Sequence, residues 1–176
     1  GTVSLLNGST PGIHYPEDEY YIRRIRFSNT SKLLKKLENA GYNIEDDKYC
    51  PNTVCVEFPV REPYFSKGKK DVSMWEQLEI AAQYQHYWAD NSVSVTVTFK
   101  PEESGQIKTA LELYETRLKA VSFLKYEETG YEQAPYEPIS KEIYDKLISN
   151  IVEIDRFDDD EGGSGSKFCT NDTCTI

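Results

Sequence analysis

Gly1-Thr-Val-Ser-Leu-Leu-Asn-Gly-Ser-Thr-Pro-Gly-Ile-His-Tyr-Pro16 opens the chain and organises its reading. Three glycines, two prolines and four hydroxyl residues surround a short apolar core of Val3, Leu5 and Leu6. Gly8, Pro11 and Gly12 interrupt the run too closely for a helix. The stretch reads as an entering loop, a brief apolar segment and a second turn at Thr10-Pro-Gly12. Glycines let backbone N–H groups converge on one point, and Thr2 and Ser4 add hydroxyl donors, a combination that suits a phosphate or another oxyanion. Composition alone is equally compatible with a turn that binds nothing.

Outward from this loop, strand and helix patterns alternate. Tyr20–Phe27 reads as a strand that places Tyr20, Ile22, Arg24 and Arg26 on one face and Tyr21, Arg23, Ile25 and Phe27 on the other. Its arginines are the one basic cluster of the chain. They read as partners for the abundant carboxylates, with a phosphate-holding role as the alternative. Ser31–Ala40 follows helical spacing and stops at Gly41, Tyr42–Glu45 leads into a turn, and Thr53–Val60 alternates as a strand. Ser73–Ala89 is the strongest helix: Ser73 and Glu76 form a capping box, and Met74, Leu78, Ala81, Ala82 and Trp88 make an apolar stripe. Ser92–Phe99 reads as a strand, Ile107–Leu118 as a helix and Ala120–Leu124 as a short strand. A Pro-rich segment at Pro135–Pro138 precedes a last helix over Ser140–Ile151. The alternation predicts an α/β or α+β arrangement, α/β implying parallel strands joined by crossover helices.

The 176 residues suffice for one domain with its own core. Twenty basic against thirty acidic residues give a net charge of −10, which argues against a general nucleic-acid or anionic-membrane surface. No apolar run approaches the roughly 20 residues that span a bilayer, and the first residue is not methionine, so the chain reads as part of a longer polypeptide. From Asp155 the composition shifts. Asp158-Asp-Asp-Glu-Gly-Gly-Ser-Gly-Ser-Lys167 has no apolar residue and reads as a mobile linker that delivers Cys169 and Cys174. Cys169 lies fifteen positions beyond Ile154. Such an arm has a root-mean-square reach of about 20 Å and a full extension of about 50 Å.

Taken together, several motifs resemble the C-terminal part of the adenosylcobalamin-dependent (class II) ribonucleotide reductases, closest to the ribonucleoside-triphosphate branch. They are Gly1-Thr-Val-Ser4, Gly8-Ser-Thr-Pro-Gly-Ile-His14, Tyr20-Tyr-Ile-Arg-Arg-Ile-Arg26, Pro51-Asn-Thr-Val54 with Val56-Glu-Phe-Pro59, Ser73-Met-Trp-Glu-Gln77, Tyr87-Trp-Ala-Asp-Asn91, Val121-Ser-Phe-Leu124, Gln133-Ala-Pro-Tyr-Glu137 and the pair Cys169 and Cys174. The resemblance implies the C-terminal portion of a ten-stranded α/β barrel over residues 1–154, followed by a disordered acidic, Gly/Ser-rich tail over 155–176. It implies that Gly1, Thr2, Val3 and Ser4 hold the phosphates of a ribonucleoside triphosphate. It also implies that Cys169 and Cys174 re-reduce the active-site cysteines oxidised in each turnover, and are recharged by thioredoxin or a similar dithiol. Adenosylcobalamin is the implied cofactor, its radical passing to an upstream cysteine, and the cytoplasm the implied location. That radical cysteine has no counterpart here, so the chain by itself is expected to be inactive and to need the upstream part of the enzyme.

Other readings of the same residues remain open at this point. Two Cys-x4-Cys pairs, Cys50/Cys55 and Cys169/Cys174, could supply four thiolates to zinc in a non-catalytic α/β binding module. Against this, Cys55 lies inside an alternating strand and metal would immobilise the tail. Cys50 and Cys55 are therefore expected to be free thiols, buried or half-buried, and no metal site is assigned. His14 follows the phosphate turn, where it could orient substrate, and His86 is expected to pack in the Tyr84–Trp88 aromatic cluster.

Overall fold

The structure, a computed structural model, describes residues 9–126 and 132–154. Gly1, Thr2, Val3, Ser4, Cys169 and Cys174 lie outside the described residues, as does the acidic tail from 155 onward.

Strands β1 (Tyr20–Ser28) and β3 (Thr53–Arg61) pair antiparallel over nine residues, from Tyr20 opposite Arg61 to Ser28 opposite Thr53. Between them the chain forms helix α1 (Leu33–Asn39) and strand β2 (Asn43–Asp46), which returns against β3. A short strand β6 (Tyr136–Pro138) closes the other edge, giving the order β2-β3-β1-β6. Helix α2 (Met74–Tyr87), strand β4 (Thr96–Phe99), helix α3 (Ile107–Tyr114) and strand β5 (Ser122–Lys125) form a second layer in which β4 and β5 pair parallel. Helix α4 (Lys141–Ser149) is the last described element.

The mixed α/β character matches expectation, but its distribution differs. Among the described residues the larger sheet is antiparallel throughout, and β4–α3–β5 is the one parallel crossover unit of the kind an α/β pattern predicts. The Tyr42–Glu45 stretch is strand rather than the approach to a turn, because β3 offers it a paired edge. The Pro-rich segment contains β6 for the same non-local reason, its pairing with β1.

The core of the second layer is built from the stripe on α2. Met74, Leu78, Ala81 and Ala82 are buried against Val95 and Val97 of the β4 arm and Ala110 and Tyr114 of α3. Alanines at these contacts let helix and strand approach closely, and each fully buried Met or Leu contributes about 1.5–3 kcal/mol. Ser73 caps α2 as its sequence predicts, its Oγ accepting from Glu76 N at 3.1 Å. The reciprocal half of the capping box is not made, since the Glu76 carboxylate accepts instead from Tyr15 and Lys67. Trp88 departs from the stripe altogether: α2 has ended, and the indole is 84% exposed.

Helix α1 ends at Gly41, whose φ of +88° is the left-handed conformation glycine tolerates best. Tyr42 N donates to Leu37 O at 3.1 Å and Gly41 N to Glu38 O at 3.0 Å, a Schellman ending. The same glycine receives the end of the described chain, for a Cβ there would stand 2.3 Å from Asn150 O, and Val152 N donates to Ala40 O at 2.9 Å. We expect Gly41→Ala to destabilise the fold by about 1–3 kcal/mol, read as a lower urea midpoint at unchanged slope. An unchanged midpoint would show that the junction relaxes freely.

Candidate functional site

The turn at Thr10–Gly12 leads the chain along the junction of the two layers. Gly12 takes φ +73° there. Beyond it lies a cavity of about 330 Å³, lined among others by His14, Glu17, Tyr21, Glu62, Lys69 and Tyr136. Its floor comes from the second layer through Thr96, Thr98 and Leu124. The period of two in a strand explains that choice. Val97 of β4 and Phe123 of β5 face the helices, so Thr96, Thr98 and Leu124 point the other way. A smaller cavity of about 260 Å³ flanks the same Thr10–Pro16 segment and shares Pro11, His14, Tyr15, Pro16 and Glu62 with the first.

Polar pairs fix the walls. Lys69 Nζ meets Glu17 Oε2 at 2.8 Å and lies over the Tyr136 ring, while its amide donates to Pro16 O at 3.0 Å. Tyr21 Oη donates to Glu62 Oε1 at 2.8 Å, with both side chains almost wholly buried. Tyr15 Oη donates to Glu76 Oε1 at 2.7 Å, and Lys67 Nζ reaches the same oxygen at 3.1 Å. Burial first, then the hydrogen bond and charge of Glu76, push the Tyr15 phenol up to about 12. His14 is half-buried. Desolvation, only partly opposed by its hydrogen bond to the Pro11 backbone, lowers its pKa, so the imidazole is chiefly neutral at pH 7.

The arginines of β1 are committed to the protein itself. Arg24 is buried, with Nη2 at 2.6 Å from Glu57 and 2.5 Å from Glu137. Arg26 Nε meets Asp47 Oδ2 at 2.5 Å, and Arg23 stacks on Tyr136. Pairing with carboxylates is thus the reading the geometry bears out, but at Arg24 the pair is buried rather than on the surface. Cys55 is a buried free thiol whose pKa is raised by desolvation. Cys50 is free but exposed, contrary to expectation, because it sits in the β2–β3 turn with its amide donating to Asp47 Oδ1 at 2.7 Å. Among the described residues no group of three or more His, Cys, Asp or Glu side chains could hold a metal ion. His86 stacks edge-on with Tyr87 of the expected aromatic cluster, both rings being exposed. A further depression, about 530 Å³, lies beside His86 at the ends of α2 and α3. Its charges are already used: Arg117 makes a bidentate pair with Glu79, and Lys119 Nζ donates to Asp90 O.

Two residues of the junction, Glu62 and Lys69, were not singled out in the sequence. Gln133, quoted only within a motif, braces the turn between β2 and β3. Gln133 takes φ +55°, its Oε1 accepts from Lys48 N at 2.9 Å and its Nε2 donates to Asp46 O at 2.9 Å. The Gln-Ala-Pro-Tyr-Glu motif carried this signal without showing its geometry.

No family model matches the chain. Over 183 aligned residues, 99% of the chain, it is 42% identical to the adenosylcobalamin-dependent ribonucleoside-triphosphate reductase of Euglena gracilis, covering 25% of that protein. It is 40% identical to the enzyme of the same name from Lactobacillus gasseri, covering all of this chain and 25% of the relative. Among solved structures it superposes on a B12-dependent (class II) ribonucleotide reductase with a TM-score of 0.75 at 40% identity, over 88% of this chain and 22% of that one. The chain therefore spans about a quarter of the length of the curated relatives it matches.

Because Tyr15 is held neutral to about pH 12, it should stabilise the fold at pH values below the ordinary tyrosine pKa of about 10. That contribution should be lost as pH rises from about 10 to about 12, where the unfolded chain releases the proton first. Titration of ring-labelled tyrosine by NMR should show one phenol ionising near pH 12 that vanishes in Tyr15→Phe. If Tyr15 ionises near pH 10, the Glu76 contact is not maintained.

Proposed function

From the premise that this chain belongs to the adenosylcobalamin-dependent ribonucleotide reductase family, we propose that it is the segment supplying the substrate phosphate loop and the redox dithiol. In this reading Gly1, Thr2, Val3 and Ser4 bind the phosphates of a ribonucleoside triphosphate through backbone amides and hydroxyls, where converging N–H groups offset the charge. The tail from residue 155 onward carries Cys169 and Cys174 to the active-site disulfide left by ribonucleotide reduction. The observation that carries the reading is homology along the whole chain to enzymes of this one name, together with the superposition on a class II reductase.

The cavity at the layer junction supports it. The face of β4 and β5 turned away from their helices is the face that lines the lumen in an α/β barrel. Here that face carries Thr96, Thr98 and Leu124, and it borders the residues that follow the phosphate-loop motif. Residues 1–154 then form the last part of the ten-stranded barrel.

Dithiol chemistry suits the tail. A thiolate of the pair attacks one sulfur of the active-site disulfide and forms a mixed disulfide, releasing the other sulfur as thiolate. The second tail thiolate then attacks its neighbour's sulfur. That step frees the active-site dithiol and leaves a Cys169–Cys174 disulfide, so two electrons have moved from tail to active site. Thioredoxin, a dithiol donor, returns the tail to its reduced form. The cofactor supplies the initiating radical in such an enzyme. No residue of this chain is assigned to it.

In the complete enzyme, Cys169→Ser or Cys174→Ser should leave the first turnover intact and suppress later thioredoxin-dependent turnovers by at least tenfold. A small dithiol that reaches the active site directly should restore them. Unchanged multiple turnover with thioredoxin would refute the shuttle.

A further inference from the structure

Tyr15–Glu19 is neither helix nor strand, yet each of its five residues is tied to a residue between 62 and 76. Tyr15 Oη donates to Glu76 Oε1, which Lys67 Nζ also reaches. Pro16 O accepts from Lys69 N at 3.0 Å, and Glu19 O from Glu62 N at 2.9 Å. Between these ties two ion pairs run in step, Glu17 with Lys69 at 2.8 Å and Asp18 with Lys70 at 2.5 Å. The backbones close up as well, since a Cβ at Gly68 would stand 3.0 Å from Glu17 O. The lysines of Ser66-Lys-Gly-Lys-Lys70 are thus matched one to one with Glu76, Glu17 and Asp18.

The lysine-bearing stretch is itself held. Gly68 N donates to Asp71 Oδ2 at 2.9 Å, and Asp71 N to Gly68 O at 3.0 Å. Val72 and Met74, almost wholly buried on either side of the Ser73 cap, root it in the interior. Tyr15–Glu19 is therefore fixed to the second layer just before Tyr20 begins β1 of the first. Ile13 packs against the same α2-centred core, and it lies nine positions after Ser4.

Pairs this close to solvent add little to stability, but they discriminate between registers. A slip of one residue in one direction would set Asp18 against Asp71. In the other it would leave Glu17 facing Gly68, which has no side chain to pair with. The backbone bonds of Pro16 and Glu19 carry no such selectivity, because any amide could serve them.

We propose that Lys69 and Lys70 are positioning residues for nucleotide binding: by pairing with Glu17 and Asp18 they set the register of Tyr15–Glu19, and with it the place from which the phosphate-binding loop extends. The inference rests on the assignment of Gly1, Thr2, Val3 and Ser4 to substrate phosphate. A segment in the wrong register must be reordered when the triphosphate binds, which weakens binding and leaves the chemical step alone, so KM rises while kcat holds.

In the complete reductase, Asp18→Lys and Lys70→Asp should each raise KM for the ribonucleoside triphosphate about fivefold, with kcat within about twofold of wild type. Combining the two substitutions restores an opposite-charge pair and should return KM to within about twofold of wild type. The exchange is made at this pair because Lys69 also lies over the Tyr136 ring. Should the reversals fail to fold, Glu17→Gln with Asp18→Asn removes both pairs at constant shape and should raise KM in the same way. A fall in kcat at unchanged KM, or a raised KM that the exchange does not restore, overturns the proposal. Thr2→Val and Ser4→Ala, measured alongside, separate the two ideas. If they raise KM and the clamp variants do not, the phosphate loop stands and the clamp falls; if they leave KM unchanged, both fall.

Discussion

Arg24 sits on the central strand of the antiparallel sheet with 8% of its side chain exposed, between Glu57 of β3 and Glu137 of β6. Removing a guanidinium from water costs several kcal/mol even after relaxation, and the deficit is offset only when its donors find good acceptors. Here Nε and Nη2 meet Glu57, Nη2 also meets Glu137, and Nη1 donates to Ala134 O at 3.2 Å. The arrangement holds three strands at one point, and without Arg24 the carboxylate of Glu57, 14% exposed, would lose its charged partner.

The neighbouring arginines extend this constraint along the 133–137 segment. Arg26, Arg24 and Arg23 donate to the carbonyls of Gln133, Ala134 and Pro135 respectively, so one strand holds three successive residues of the segment through side chains. Strand β6 has only three paired residues and ends in a proline that can donate nothing to a ladder. Its place at the sheet edge therefore rests largely on the arginines. Tyr136 follows from the same clamp: with Arg23 and Lys69 both against its ring, it forms one wall of the junction cavity. The basic cluster that drew attention as a possible phosphate holder thus shapes the cavity from behind rather than lining it.

This division explains what the sequence could and could not disclose. Elements fixed by local chemistry were legible: α2 through Ser73 and its apolar spacing, α1 through Gly41, and β1 and β3 through their β-forming residues. Elements that exist because of a distant partner were not. Asn43–Asp46 is polar and short, and becomes strand only against β3. Tyr136–Pro138 becomes strand only against β1. Trp88 fitted a helical stripe by residue type but lies past the helix end, where periodicity no longer predicts facing. The Thr10–His14 turn that the sequence marked does border a cavity. Glu62 was not marked, because nothing local distinguishes it from other glutamates; its burial is decided by packing across the layer junction.

The second layer shows how a small parallel unit is held without a long ladder. Gln77, nearly buried on α2, accepts from Thr98 N at 2.8 Å and donates to Thr98 O at 2.7 Å, so its amide occupies the strand edge as a neighbouring backbone would. Glu103 performs the matching task at the helix start, accepting from Met74 N at 2.9 Å while its other oxygen accepts from Lys100 N at 2.8 Å. These ties fix α2 against β4 and the turn that follows it, independently of the apolar contacts between them. Once α2 is fixed, Val97 must face it, and the alternation of the strand turns Thr96 and Thr98 towards the junction. The floor of the cavity is therefore set by two buried side chains that do not line it.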